Sequence, residues 1–268
     1  MFKEKMVSSV DGTKLFMRKD LVEKPKAVIV IAHGLAEHLN RYDHLTARLL
    51  KEGYSVYRYD QRGHARSEGK RAFFNDYTEI IADVKTIVDL AKAENPELPV
   101  FLIGHSMGGF TVSLFGTKYP DAVDGIVLSG ALTRYSKETF GPLPVDMPAD
   151  TYIDNTLGAG VCSDPKVGEA YNADPLVEKK ISIGLMNMMP EGIHYLKENA
   201  EAFTAPVLVM HGLEDGLVSE QDSRQFFAEI ASEDKSLRIY AKLMHEIFNE
   251  PVQNEIFDEV VLWLDKHN

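Results

Sequence analysis

The sequence predicts an α/β protein in which a mostly parallel central sheet, flanked by helices, is interrupted by an inserted, mainly helical cap. Three observations carry this. Continuous apolar runs at 27–32 (AVIVIA), 100–103 (VFLI), 126–128 (IVL) and 207–210 (VLVM) lack the alternation of a one-sided strand. They suit parallel strands buried on both faces. Helical patterns separate them, as right-handed β-α-β crossovers require. Between 131 and 204 the rhythm stops, and six of the 12 prolines fall in a stretch far longer than one crossover helix needs.

Each element follows in order. The run at 27–32 ends in the turn His33–Gly34. Tyr42, Leu45 and Leu49 share one face of a helix over 41–52, stopped by Gly53. A tyrosine-rich strand at 54–59 and a loop at 60–75 come next. From Asp76 the residues Ile80, Ile81, Val84, Ile87, Val88 and Ala91 keep a helical beat until Asn95–Pro96. VFLI precedes the helix-like FTVSLFGTKY, and IVL follows it. Within 131–204 no buried strand stands out, and helical pattern emerges only near 176–200. Beyond lie VLVM, a helix at 219–231, a strand near 236–241, and a last helix from Pro251 that buries Ile256, Val260 and Leu264. The expected organisation is one core, 1–130 and 205–268, split by a cap at 131–204.

Composition narrows the function. With 44% hydrophobic residues the 268-residue chain can bury a sizeable core without staples. Twenty-nine Lys and Arg against 41 Asp and Glu give a net charge of −12. That excludes nucleic acid as a partner, since phosphate binding needs a basic face. The cap alone holds 11 acids and 6 bases, so membrane contact through it would be transient and apolar. The lone Cys162 excludes a disulfide framework, and no ligand spacing points to a metal. The start lacks the apolar stretch of a signal peptide, and no run reaches the ~18 residues of a membrane span. The expected location is cytoplasmic.

The sharpest motif is Gly104-His105-Ser106-Met107-Gly108-Gly109, directly after VFLI. A serine needs exposure and a base to become a nucleophile. A tight strand-to-helix turn exposes it, and residues without side chains two positions either side allow the turn. Among nine histidines, His245 follows the last predicted strand and so reaches the same sheet edge as Ser106. His33 and His211, each before a glycine at a strand end, read as turn residues. His105 is expected to point away from Ser106, and His38 to be solvated or packed. The acid that orients His245 should lie in VLVMHGLEDGLV. Asp215, shorter and flanked by Gly216, is favoured over Glu214. The order Ser106, Asp215, His245 is that of α/β-hydrolases. Their oxyanion hole uses the amide after the nucleophile, here Met107, and one from the loop after the third strand, here Leu35. Asp60 and Arg62 read as loop braces. The cluster Met186, Met188, Met189 suits an adaptable acyl-binding wall, or equally a filling of the interface between cap and core.

HGLAEHLNRY, YDQRGHARSEG, GHSMGG, HGLEDGLV and HEIFNE, in this order, resemble the monoacylglycerol lipase and lysophospholipase family of serine hydrolases. The resemblance spans nearly the whole chain and includes SDPKVGEAYNADPLV in the cap. It implies an α/β-hydrolase core with a lid and hydrolysis of single-chain acyl esters without a cofactor. By position it implies Ser106 as nucleophile, Asp215 and His245 as its partners, and Leu35 and Met107 as amide donors. It also implies Glu37 and Arg41 near a glycerol head group. Two departures stand out: Ala65 replaces the last glycine of the usual RGHG, and Phe248 stands where the animal lipase has a second histidine. The second leaves room for short-chain or aryl esters. A ligand receptor on the same fold is the reading from another class.

Overall fold

Within each apolar run alternate residues serve opposite faces of an eight-stranded sheet, so every run builds two half-cores. The computed structural model describes all 268 residues. Its elements are β1 (Phe2–Ser8), β2 (Lys14–Asp20), β3 (Val28–Ala32), α1 (Asp43–Lys51), β4 (Ser55–Tyr59), α2 (Tyr77–Glu94), β5 (Val100–His105), α3 (Met107–Lys118) and β6 (Gly125–Ser129). There follow β7 (Tyr152–Asp154), α4 (Pro165–Ala173), β8 (Lys180–Ser182), α5 (Ile183–Glu198), β9 (Val207–Gly212), α6 (Glu220–Glu229), β10 (Lys235–Tyr240) and α7 (Gln253–His267).

The sheet order is β1-β2-β4-β3-β5-β6-β9-β10. Pairings β1–β2 and β2–β4 are antiparallel, and all others are parallel. Val28, Val30, Leu102, Leu128 and Val209 face α2, α3 and α6, meeting Ile81, Val84, Phe110 and Phe226. Ile29, Ile31, Phe101, Val127 and Leu208 face α1 and α7, meeting Leu49, Val260 and Leu264. Each such side chain, fully buried, contributes roughly 1.5–3 kcal/mol of transfer free energy.

The β1–β2 hairpin has no counterpart among the predicted elements. β1 is the sheet's edge and is exposed along nearly its whole length, so burial imposes no apolar run on it. Pro251 also falls outside the last helix: it sits in a turn, and α7 starts at Gln253. The insertion between β6 and β9 holds more regular structure than its sequence suggests. β7 and β8 form a two-stranded antiparallel sheet, each only three residues long and too short to show a period. Helix α4 starts at Pro165, where the missing N–H costs nothing, with Asp164 accepting from Lys166 N at 3.0 Å. Helix α5 is capped by Ser182, which accepts from Leu185 N at 3.0 Å.

Because the central strands are parallel and in register (Ala32 beside Gly104, Gly104 beside Leu128, Leu128 beside Val209), their C-terminal ends form one edge. The loops leaving β3, β5, β9 and β10 converge there, which is where open parallel sheets bind ligands.

Candidate active site

From Val100 to Thr117 every residue is buried except Ser106. The strand-to-helix turn lifts it there at a conformational cost. Ser106 has φ 54° and ψ −118°, a region that costs a residue with a side chain about 1–3 kcal/mol. The flanking glycines explain why the turn closes. A Cβ on Gly108 would lie 2.0 Å from the Ala32 carbonyl oxygen, and one on Gly104 would lie 2.3 Å from the Gly108 oxygen. Strand β5, helix α3 and strand β3 therefore meet backbone to backbone, and no other residue type fits. Ser106 N–H donates to Ser129 O at 2.9 Å, fixing the turn to β6.

His245, in the loop after β10, lines the same cavity as Ser106. Its Nδ1 lies 2.7 Å from Asp215 Oδ2. A carboxylate only accepts, so Nδ1 carries the hydrogen and Nε2 keeps the lone pair that a base requires. Asp215 is buried and fully occupied. Its Oδ1 accepts from Leu217 N at 2.8 Å and Val218 N at 2.9 Å, and its Oδ2 accepts from His245, with His211 Nε2 3.0 Å from the same oxygen. Burial disfavours the charged carboxylate, but the charge of His245 and the hydrogen bonds from His211 and His245 overcome this and hold Asp215 far below the ordinary carboxylate range. Burial likewise opposes charge on His245, yet Asp215, with Glu246 and Glu37, holds its pKa above the usual histidine value. Glu214 is exposed and its side chain takes no part.

The loop after β3 supplies the opposite wall. A Cβ on Gly34 would stand 3.3 Å from the Ser106 Cβ, so Leu35 passes close to the serine and lines the cavity with Met107. Met107 N–H, at the first position of α3, is one of the amides a helix leaves without an internal acceptor. The loop is braced from beneath. Gly34 N donates to Glu37 Oε1 at 2.5 Å, and Gln61 N donates to His33 Nε2 at 2.8 Å. His33 Nδ1 therefore carries the hydrogen it gives to Gly34 O at 2.7 Å. Asp60 accepts from Leu39 N, and Arg62 pairs with Asp83, both as braces. Ala65 adopts a φ of 39°, a left-handed value that accounts for a glycine being usual there.

Beside His245 lies a second acid cluster. Arg41 Nε donates to Glu37 Oε2 at 2.7 Å, and its Nη2 reaches Glu246 Oε2 at 2.6 Å. Tyr42 OH donates to Glu37 Oε1 at 2.5 Å. Burial works against ionised Glu37, but the Arg41 charge, helped by the Tyr42 hydroxyl, draws its pKa down to about 2. Glu246 goes the other way: burial and the neighbouring Glu37 push it up against the pull of Arg41. Glu37 and Glu246 reach the cavity itself, whereas Arg41 lines a smaller side cavity with Tyr42, Phe248 and Asn249.

The main cavity encloses about 590 Å³ with its mouth included, and 11 of its 18 lining residues are hydrophobic. That makes it an apolar pocket with a few convergent polar groups, the usual character of a small-molecule site. Leu132, Tyr135, Phe140, Leu157, Tyr171 and Met189 form much of the wall and all come from the insertion. Met186 is a correction to the expected acyl wall: it is 2% exposed, packed in the hydrophobic core and absent from the cavity lining. At helical spacing Met186 and Met189 lie on neighbouring turns, and only the packing of α5 decides which one meets the cavity. Phe248 packs on Phe257 with ring centroids 6.2 Å apart and reaches only the side cavity.

Two histidines, His105 and His211, depart from their expected settings, while His38 is packed. His105 does not turn away from the site. It lines the cavity, and its ring centroid lies 4.6 Å from that of His245. Burial, with the neighbouring His245, pushes its pKa down to about 3, so it stays neutral. His38 is buried and joins the core to the insertion through Asp174 at 2.9 Å. His211 is more than a turn residue, since it reaches Asp215. A histidine four positions before a candidate acid, at the end of a buried strand, was the available signal.

Residues 23–252 match the family model described as serine aminopeptidase, S33. The chain is 38% identical over 255 residues to a monoacylglycerol lipase of Mycolicibacterium smegmatis, covering 91% of this chain and 89% of that one. It is 31% identical to a phospholipase of Bacillus subtilis over 91% of this chain and 97% of that one. A solved structure, a soluble variant of monoglyceride lipase from Saccharomyces cerevisiae in complex with a substrate analog, is similar with a TM-score of 0.86 and 25% identity, over 99% of this chain and 95% of that one.

Proposed function

Since the chain belongs to the family of ester-cleaving serine α/β-hydrolases related to monoacylglycerol lipases, we propose that it hydrolyses monoacylglycerols through an acyl-enzyme on Ser106, with Asp215 and His245 completing a triad. The observation that carries this reading is one cavity lined by both Ser106 and His245 and walled mostly by apolar side chains, while Asp215 Oδ2 lies 2.7 Å from His245 Nδ1.

In the proposed reaction His245 Nε2 takes the Ser106 proton as Oγ attacks the ester carbonyl. Negative charge develops on the carbonyl oxygen and is met by the Leu35 and Met107 amides. Imidazolium then gives its proton to the departing alcohol, and Asp215 stabilises the cation in the interval. Water, deprotonated by His245, attacks the acyl-enzyme, and the fatty acid leaves as Ser106 regains its proton. The acyl chain takes the wall formed by Leu132, Phe140, Leu157 and Met189.

A lysophospholipid is the second reading, favoured by the Bacillus relative. Against it, Glu37 and Glu246 line the cavity and share a single arginine, so that end of the site repels a phosphate and suits a neutral polyol. No helix is long and apolar enough to cross a membrane. The protein is read as cytoplasmic, meeting lipid surfaces briefly through the insertion, where Met147 is 49% exposed.

The test is turnover on a panel of monoacylglycerols, lysophospholipids and aryl esters, with Ser106→Ala as control. Monoacylglycerols should rank first, and Ser106→Ala should abolish turnover and fluorophosphonate labelling. Retention of most activity by Ser106→Ala would sink the mechanism. A panel led by lysophospholipids or aryl esters would reject the substrate.

A further inference from the structure

We propose that His211 is a positioning residue for the triad. By donating to the same Asp215 oxygen that holds His245, it anchors the carboxylate and shares its charge, and so limits how tightly the acid can hold the His245 proton. This rests on the triad read above and adds a fourth member to it.

The geometry is specific. His211 is completely buried at the end of β9, four residues before Asp215. Its Nε2 stands between two oxygens that can only accept: it is hydrogen-bonded to Val218 O at 3.2 Å and lies 3.0 Å from Asp215 Oδ2. Two acceptors require that Nε2 carry hydrogen. Its Nδ1 lies 2.8 Å from Ser223 Oγ, and the serine hydroxyl can donate there, so each ring nitrogen has a partner. The ring is thus tied at both ends, and its tautomer is set by its partners. A turn residue would need none of this.

The consequence follows from competition at one oxygen. Asp215 Oδ1 is taken by two backbone amides, so Oδ2 alone answers to the imidazoles. A second donor on Oδ2 draws electron density from the bond to His245. Without it the carboxylate oxygen would pull harder on the His245 proton, and His245 would become a free base only at higher pH. The other groups around His245 are Glu246 on its own loop, Glu37 with Arg41 on the loop after β3, and neutral His105 from β5. Around His211 stand Asp222 and Ser223 of α6. From the insertion Lys137 Nζ donates to the Asp215 carbonyl at 2.6 Å. None of these replaces a donor on Oδ2.

The experiment is kcat/KM against pH for the full-length enzyme on a soluble p-nitrophenyl ester, comparing His211→Phe with His211→Gln. Phenylalanine keeps the ring without the donor, and glutamine can restore an N–H near Nε2. His211→Phe should move the acid limb up by about half to one pH unit and lower kcat about tenfold, short of the ~10⁴ cost of a wrong tautomer. His211→Gln should recover both within about threefold, as rescue by a retained hydrogen bond requires. Ser223→Ala, which loosens the Nδ1 end, should shift the limb in the same direction by less, and it serves if His211→Phe does not fold. An acid limb that coincides with the parent's in the folded variants would overturn the inference. So would equal shifts for phenylalanine and glutamine. Ser106→Ala and Asp215→Asn separate the two readings: if either retains most activity the triad itself falls, and if both lose it while the limb stays put, only His211 falls.

Discussion

Two buried acid clusters flank His245, and they are built on opposite principles. On one side Asp215 is met by two backbone amides and two imidazoles, and has no second carboxylate among them. On the other, Glu37 and Glu246 divide one guanidinium between them. The first arrangement drives its acid far below the ordinary range. The second splits its pair, Glu37 down and Glu246 up. A buried charge is tolerated when its own donors outnumber its rivals, and two rivals on one cation cannot both be held ionised with equal ease. The first cluster suits a fixed charge for chemistry. The second suits a rigid, polar wall that remains acid-rich at the cavity.

The comparison is broken most sharply at Asp215. Asp215→Asn should keep the fold and lower kcat by on the order of 10⁴, because the amide presents the wrong hydrogen-bonding partner to His245 Nδ1. The same variant reports linkage. The folded pKa of Asp215 is depressed, so its stabilisation is present above the unfolded carboxylate value and is lost as pH falls toward the folded one. The stability gap between parent and Asp215→Asn, measured by urea unfolding, should therefore narrow from pH 7 to pH 3. A gap that widened would contradict four favourable donors.

Next in size, Arg41→Met removes the one cation from the other cluster. Two buried carboxylates are then left facing each other, and about 3–5 kcal/mol of stability should be lost at neutral pH. Part of it should return on acidification as Glu246 takes up a proton. A loss below about 1 kcal/mol would mean that the cluster behaves like a surface pair.

The smallest effect distinguishes the two sides at His245 itself. Glu246→Gln removes a negative charge that raises the His245 pKa, so the acid limb of kcat/KM should move to lower pH, by less than about one unit. This is opposite in sign to the shift expected for His211→Phe. Limbs moving in the same direction would show that the two clusters do not act on His245 in the way their donors imply.

Much of this arrangement is legible in the chain. The buried strands announce themselves as apolar runs, because a strand covered on both faces must be apolar throughout. Gly104 and Gly108 are readable because backbone packed against backbone excludes every side chain. The order of Ser106, Asp215 and His245 follows from strand ends that must share one edge. The edge hairpin β1–β2 is not legible, since exposure leaves β1 unconstrained. Met186 and Met189 have the same chemistry, and three positions along α5 decide which meets the cavity.

By itself the sequence determined the fold class, the motif order and the chemistry available at the sheet's edge, because burial and backbone crowding restrict residue type position by position. Tertiary structure alone decided how buried charges are shared. Asp215, Glu37 and Glu246 all stand in loops at the sheet's edge, and no local pattern says which groups will surround each of them. Only folding brings two histidines to one acid and makes the other two share a single arginine. The physical reason is that a carboxylate's state in a low-dielectric interior depends on the count and sign of the groups within a few ångströms, and those groups come from distant parts of the chain.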